Sequence, residues 1–266
     1  MPNHRTIVLT QALGRATALA RHLGANGWPV RCWPLTAIDP ISALDWDAVA
    51  ADLAASRWVL LPSPGAVDVV MSAWSCRGAV WPPELGLGLV GPGSAEALTA
   101  WLHRIPGLAS ARVRVPERPP HDAQALLALP QFHRLAGVPV TVLRGEDGQQ
   151  AWLSTLRARG AVLRTWTVYR AREQAPPDGA GAWLARCHAT GVGVGFVVAS
   201  LRAGRQLSAF AREQPCSGWL WDQPVLTQHP RIAEDLRTQG WRNVVQHITG
   251  AAGLLAAIES LDSAQS

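Results

Sequence analysis

Val8-Leu9-Thr10, then Gly14, Leu19, Leu23, Gly27, Arg31, Trp33 and Leu35, is a pattern the chain uses twice: it returns as Val142-Leu143-Arg144, Gly148, Leu153, Leu156, Gly160, Arg164, Trp166 and Val168. The offset is 134 residues at Val8 and 133 from Leu23 onward, one residue having dropped out. Each copy reads as a strand ending in a tight glycine-bearing loop, an amphipathic helix, a helix-terminating glycine (Gly27, Gly160) and a second strand, which together make a βαβ unit. Two further pairs extend the repeat. Residues 58–66, from Trp58 through Ser63 to Ala66, resemble 195–203, from Gly195 through Ser200 to Ala203. Residues 89–98, with Gly91, Pro92 and Ser94, resemble 227–236, with Thr227 and Pro230. In each, a buried strand runs into a loop that starts a helix, and Ser63 and Ser200 stand where N-caps belong.

Strands alternating with helices imply parallel sheets covered on both faces, the doubly wound class, in which ligands bind at the carboxyl ends of the strands. The repeat is not tandem, because the units around Ser63 and Ser94 lie between the two βαβ copies while those around Ser200 and Thr227 follow the second. The expected fold is therefore α/β, two similar doubly wound parallel-sheet lobes, the first discontinuous, joined by a two-stranded β hinge. Lobe one is expected over residues 1–34 and 172–266 and lobe two over 39–166, with hinge strands at 35–38 and 167–171. Closure of such lobes would set their strand ends around one ligand.

Composition narrows the chemistry. With 266 residues, 48% hydrophobic and 16% charged, the chain has ample material for packed cores. Apolar runs such as Thr6–Leu9, Trp58–Leu61 and Val192–Ala199 are strand-sized and far short of the roughly 20 residues that cross a bilayer, and no signal-peptide core opens the sequence. The expected place of work is the cytoplasm, with no membrane partner. Cys32, Cys76, Cys187 and Cys216 are scattered, and neither they nor the eight histidines have metal-ligand spacing, so no metal is expected. The formal charge is +5, and all of the basic side chains are arginine, for the chain has no lysine. That removes Schiff-base chemistry, a lysine general base and a lysine-bearing phosphate loop. What remains are guanidinium forks suited to carboxylates and phosphates.

Ser63, Ser94, Arg144 with Gly145, Ser200 and Thr227 all fall at strand carboxyl ends, where helix-initiating amides can receive anions. Each serine is equally readable as an ordinary N-cap. Arg144-Gly145-Glu146-Asp147-Gly148 lacks the GxGxxG spacing of a dinucleotide site, and no serine sits in a GxSxG elbow. Tyr169, the single tyrosine of the chain, lies where the second hinge strand leaves lobe two. Its phenol can donate a hydrogen bond or a proton, or its ring can anchor the hinge by packing.

The motifs resemble those of the uroporphyrinogen-III synthase family over nearly the whole chain. Leu61-Pro62-Ser63-Pro64-Gly65-Ala66-Val67 is similar to the family's FTSPNAV, Val90-Gly91-Pro92-Gly93-Ser94-Ala95 to its VGPxTA, Leu143-Arg144-Gly145-Glu146-Asp147-Gly148 to its LRGxxG, and Val168-Tyr169-Arg170 to its VYR. Departures gather in lobe one: Thr10-Gln11-Ala12 replaces TRP, Ala199-Ser200-Leu201 the second SP motif, and Gln228 to Ala233 the second GPxTA. The resemblance implies an enzyme without cofactor, a hydro-lyase that closes hydroxymethylbilane, a linear tetrapyrrole with eight carboxylates, losing water and inverting ring D. It further implies Tyr169 as the catalytic group assisting departure of the hydroxyl, with Ser63, Pro64, Gly91, Pro92, Ser94, Arg144, Gly145, Ser200 and Thr227 on the substrate. A monomer is expected.

Two other classes compete. A non-catalytic two-lobed small-molecule-binding protein would share hinge and cleft, and differs by failing to divert hydroxymethylbilane from spontaneous type I closure to the type III isomer. A nucleic-acid-binding module would need clustered basic residues with interleaved aromatics. The arginines here are dispersed, so no nucleic-acid partner is expected.

Overall fold

In the computed structural model, residues 5–118, 121–147, 151–248 and 250–263 are described. Gly148, the last residue of the LRGxxG-like stretch, and Pro119 and Pro120 lie outside them. Strand and helix alternate along the chain: β1 (Arg5–Leu9), α1 (Leu13–Ala25), β2 (Val30–Cys32), β3 (Thr36–Pro40), α2 (Trp46–Ala54), β4 (Trp58–Leu61), α3 (Pro64–Cys76), β5 (Gly86–Leu89), α4 (Pro92–Thr99), β6 (Val113–Arg114) and α5 (Ala123–Leu127). There follow β7 (Pro139–Gly145), α6 (Ala151–Ala158), β8 (Val162–Glu173), α7 (Ala180–Ala189), β9 (Gly193–Val197), α8 (Leu201–Arg212), α9 (Ser217–Leu220), β10 (Val225–Thr227), α10 (Pro230–Thr238), β11 (Val244–Gln246) and α11 (Ala251–Ser263).

The chain divides into two compact units, Met1–Ala37 with Arg172–Ser266, and Ile38–Ala171. It leaves the first unit within β3 and returns within β8. The first unit holds a sheet in the order β11-β10-β9-β1-β2, and the second a sheet in the order β3-β8-β7-β4-β5-β6. Read from the other edge, the second is β6-β5-β4-β7-β8 with β3 added outside β8. Strand by strand this is the order of the first sheet, with β7-α6-β8 standing where β1-α1-β2 stands. The pairings within the first sheet and those linking β8, β7, β4, β5 and β6 are parallel. The protein has the α/β class and the paired parallel sheets read from the repeat.

All four residues of β4 are buried, as a strand covered on both faces requires. Its side chains feed two cores of the second unit. Val59 and Leu61 join Val67, Val70, Met71 and Trp74, while Trp58 and Leu60 join Phe132, Val140, Trp152 and Leu156 on the opposite face. The first unit repeats this division, with Val8, Trp33 and Phe196 on one face and Ile7, Leu9 and Leu226 on the other. Burial on this scale, at about 25 cal/mol per Å² of apolar surface, is the main stabilising term.

Gly160 closes α6 at φ +82°, a left-handed value that a Cβ disfavours. A Cβ there would also stand 2.9 Å from the Ala136 Cα. Gly160→Ala is expected to lower the stability of the second unit by about 1–2 kcal/mol, the usual penalty of left-handed backbone, read as a lower urea midpoint at unchanged slope. A midpoint equal to that of the unsubstituted protein would show that this turn relaxes without cost.

Candidate functional site

Among the described residues three α-helices begin with proline in the first turn: Pro64 opens α3 after Ser63, Pro92 opens α4 after Gly91, and Pro230 opens α10 after His229. A proline there gives up an N–H that the helix leaves unpaired anyway. The hydroxyl of Ser63 accepts the Ala66 N–H at 3.1 Å, and that of Ser200 accepts the Ala203 N–H at 3.1 Å, so both serines are N-caps. Ser94 is not a cap. It is the third residue of α4, buried, and the capping position belongs to Gly91, which contributes no side chain. Thr227 ends β10 fully buried, and its hydroxyl finds no hydrogen-bond partner among the described residues.

The second unit gathers its motifs around Tyr169. β7 and β8 pair in regular register up to Arg144 opposite Thr167, but Gly145 then stands opposite Tyr169, because Val168 is the extra residue of a β-bulge. As a result Val168 and Tyr169, neighbours in sequence, both turn to the same core, the one built on α3. The phenol oxygen comes within 2.9 Å of the Ser63 hydroxyl, and either group can donate. The ring lies against two glycines: a Cβ on Gly145 would fall 2.5 Å from its Cζ, and one on Gly65 would fall 3.3 Å from the same atom.

Arg144 is buried, and its guanidinium turns back on the loop that follows it. Nε donates to the Gly145 carbonyl at 3.1 Å and a terminal nitrogen donates to the Glu146 carbonyl at 2.8 Å. These bonds, with the Glu146 N–H donating to the Tyr169 carbonyl at 3.0 Å, fix the backbone beside the phenol. The charge of Arg144 is thus spent on carbonyl oxygens of its own loop. Outside it, Arg170 pairs with Glu146 at 3.1 Å across exposed surface. Glu146, Arg170 and Gly65 were not singled out from the sequence as parts of the site, although each stands inside a motif quoted above.

The sites expected in the first unit sit at the ends of its strands. Thr10 donates its hydroxyl to the Val197 carbonyl at 2.7 Å, tying β1 to β9. His247 follows β11, and its N–H donates to the Thr227 carbonyl at 3.0 Å. Its ring Nδ1 is 2.8 Å from the Ile248 carbonyl, and since a carbonyl only accepts, that nitrogen carries the proton. Burial pushes the imidazole below its ordinary 6.5, the Ile248 carbonyl opposing the shift. Between that lowered value and 6.5 the unfolded chain binds more protons than the folded one. The stability of the first unit is therefore expected to hold above about pH 6.5 and to fall as the pH drops below it. His247→Gln should flatten this part of the curve in urea titrations between pH 5 and 8, and an unchanged slope would remove His247 as the cause.

Among the described residues no group of three or more His, Cys, Asp or Glu side chains is placed to hold a metal ion, and no helix is long and apolar enough to cross a membrane. Residues 17–256 match the family model described as Uroporphyrinogen-III synthase HemD. The uroporphyrinogen-III synthase of Salmonella typhimurium strain LT2 is 28% identical to this chain over 243 residues, 90% of this chain and 93% of that protein. Among solved structures, a mutant uroporphyrinogen-III synthase of Thermus thermophilus aligns over 98% of this chain and 99% of its own, at 17% identity and a TM-score of 0.54. The uroporphyrinogen-III synthetase of Helicobacter pylori 26695 aligns over 98% and 100%, at 11% identity and the same TM-score. At these identities the two structures speak for the fold.

Proposed function

Because this chain belongs to the uroporphyrinogen-III synthase HemD family, a hydro-lyase family of tetrapyrrole biosynthesis, we propose that its substrate is hydroxymethylbilane and that Tyr169 is the residue that acts on the departing hydroxyl. The observation that carries the assignment of Tyr169 is its seat: the bulge at Val168, the two glycines under the ring and the hydrogen bond to Ser63 hold one phenol in one place.

The phenol donates to the hydroxymethyl oxygen. The carbon–oxygen bond breaks with its electron pair on oxygen, and the phenol proton leaves with that oxygen as water. The pyrrole nitrogen supplies electrons to the carbon left behind, which the substituted carbon of ring D then attacks. The spiro carbon so formed carries no hydrogen, so its older bond, to the methylene joining rings C and D, breaks with the electron pair returning to ring D. The ring C nitrogen supports the methylene carbon left behind, and the unsubstituted α-carbon of the now inverted ring D attacks it. Loss of the proton from that α-carbon restores aromaticity, and the proton returns the phenol to its starting state. Little covalent work falls to the protein, and orientation of the reacting carbons supplies most of the advantage, up to roughly 7–11 kcal/mol in ideal cases.

Substrate carboxylates are assigned to the helix-initiating turns: Ser63 and Pro64 at α3, Gly91, Pro92 and Ser94 at α4, Ser200 at α8, and Thr227 ahead of α10. Since Ser94 and Thr227 are buried, their contribution runs through backbone N–H groups at these turns. Arg144 shapes the Gly145 turn in this reading and does not grip a carboxylate. The four free cysteines suit a reducing compartment, so the proposed setting is the cytoplasm. The proposed working form is a monomer. The test is turnover of hydroxymethylbilane by the purified protein, read as the ratio of type III to type I product. Formation of the type I isomer alone, at the spontaneous rate, would reject the reading.

A further inference from the structure

We propose that the Ser63 hydroxyl is a positioning group that acts on Tyr169, leaving any substrate carboxylate at this turn to its backbone N–H groups: it relays the positive end of α3 to the phenol and aims the phenol proton at the departing hydroxyl. The inference rests on the assignment of Tyr169 made above. It follows from counting protons and lone pairs at two oxygens.

The Ser63 hydroxyl has two lone pairs and one proton. One lone pair is taken by the Ala66 N–H, at 3.1 Å, in the first turn of the 13-residue helix α3. The phenol oxygen of Tyr169 stands 2.9 Å away, leaving two arrangements. If Tyr169 donates to Ser63, the phenol proton points into the helix cap and cannot reach a substrate. If Ser63 donates to Tyr169, the phenol proton is directed away from the cap. Only the second arrangement serves a phenol that donates to a leaving group.

In that arrangement the donors run one way, from the Ala66 N–H to the Ser63 hydroxyl, then to the Tyr169 hydroxyl and on to the substrate oxygen. A hydrogen-bond chain of one sense polarises each successive donor. It begins where the helix dipole concentrates positive charge, so it favours the negative charge that grows on the phenol oxygen as its proton departs. The glycines beneath the ring keep the oxygen in line.

The experiment places Ser63→Ala, Ser63→Thr and Ser63→Asp in the unsubstituted protein and in Tyr169→Phe, and measures kcat, KM, the type III fraction and the thermal midpoint with hydroxymethylbilane as substrate. Aspartate is a strong helix cap, yet when ionised it has no proton to give and can only draw the phenol proton toward itself. Ser63→Asp is therefore expected to stay folded with kcat lowered to about the level of Tyr169→Phe. Ser63→Ala should lower kcat about tenfold at little-changed KM, the scale of one lost hydrogen bond to a developing charge. Ser63→Thr, which keeps the hydroxyl, should stay within about threefold of the starting kcat, well above Ser63→Ala. In the Tyr169→Phe background none of the three should lower kcat further. Normal kcat in Ser63→Asp, a change confined to KM, or losses that add to that of Tyr169→Phe would overturn the relay while leaving Tyr169 in its role. An unaffected kcat and type III fraction in Tyr169→Phe alone would overturn both. If Ser63→Asp does not fold, the comparison of alanine with threonine in the two backgrounds still decides.

Discussion

Tyr169→Phe is expected to lower kcat for ring closure by about 100-fold, the low end of what a positioned proton donor contributes, while KM changes little. The phenol interacts with charge that appears only as the carbon–oxygen bond breaks, so its loss raises the barrier without weakening ground-state binding. Substrate that then leaves unreacted closes by the spontaneous route, and the type III fraction falls with the rate. Stability should change by less than about 1 kcal/mol, because one part-buried hydrogen bond is lost and the Ser63 hydroxyl keeps its Ala66 partner. The measurement is steady-state kinetics with isomer analysis beside a urea titration. A kcat within about twofold of the parent and an unaltered isomer ratio would dismiss Tyr169 from the mechanism and leave it as packing between β8 and α3.

Gly145→Ala is expected to be at least as damaging to turnover, although it removes no polar group. The added Cβ would sit 2.5 Å from Cζ of Tyr169 and 2.8 Å from both Cε2 and the phenol oxygen. The backbone cannot retreat easily. Gly145 is paired with Tyr169 in the sheet, its carbonyl receives Arg144 Nε, and the Glu146 N–H is held by the Tyr169 carbonyl. The ring also meets Gly65. The phenol therefore has to swing out, breaking its contact with Ser63. Overpacking of this kind costs about 1–3 kcal/mol of stability, which should show as a lower urea midpoint. Once Tyr169→Phe is present, Gly145→Ala should add little further loss of kcat, since both disable the same group. Full activity in Gly145→Ala would mean that the ring position does not govern the reaction.

The alternation of strand and helix in both units, and with it the parallel sheets, was legible in the sequence because it rests on long-range repetition of simple chemistry. Val8-Leu9 and Val142-Leu143, Trp58–Leu61 and its counterpart near Phe196, and Gly27 and Gly160 each state a strand or a helix end by themselves. The cap at Gly91 was legible too, and was passed over in favour of Ser94: Pro92 prefers the first helical position, which puts the cap one residue before it. The seat of Tyr169 was not legible. A bulge depends on the register between β7 and β8 and leaves no mark on Val168 itself. Nor does anything in Leu143-Arg144-Gly145 say that the arginine will turn back on its own loop, because that choice depends on burial and not on local propensity. Residues 35–38 and 167–171 read as the two strands of a hinge, but nothing in them said that β3 would lie at the outer edge of the second unit's sheet.

The division of the first unit into Met1–Ala37 and Arg172–Ser266 sets an order of events on the ribosome. β1 can pair with β2 at once, but β9, the neighbour of its other edge, lies beyond the entire second unit, so that edge waits while the intervening Ile38–Ala171 segment acquires its own core. Domains generally mature as units during synthesis, and here the inserted one is complete while its host is still half made. A nascent chain stalled once Ala171 has cleared the ribosome would carry one finished body and an orphaned unit of strand, helix and strand, with the face of Val8, packed in the finished fold by Leu184, Phe196 and Leu207, still uncovered.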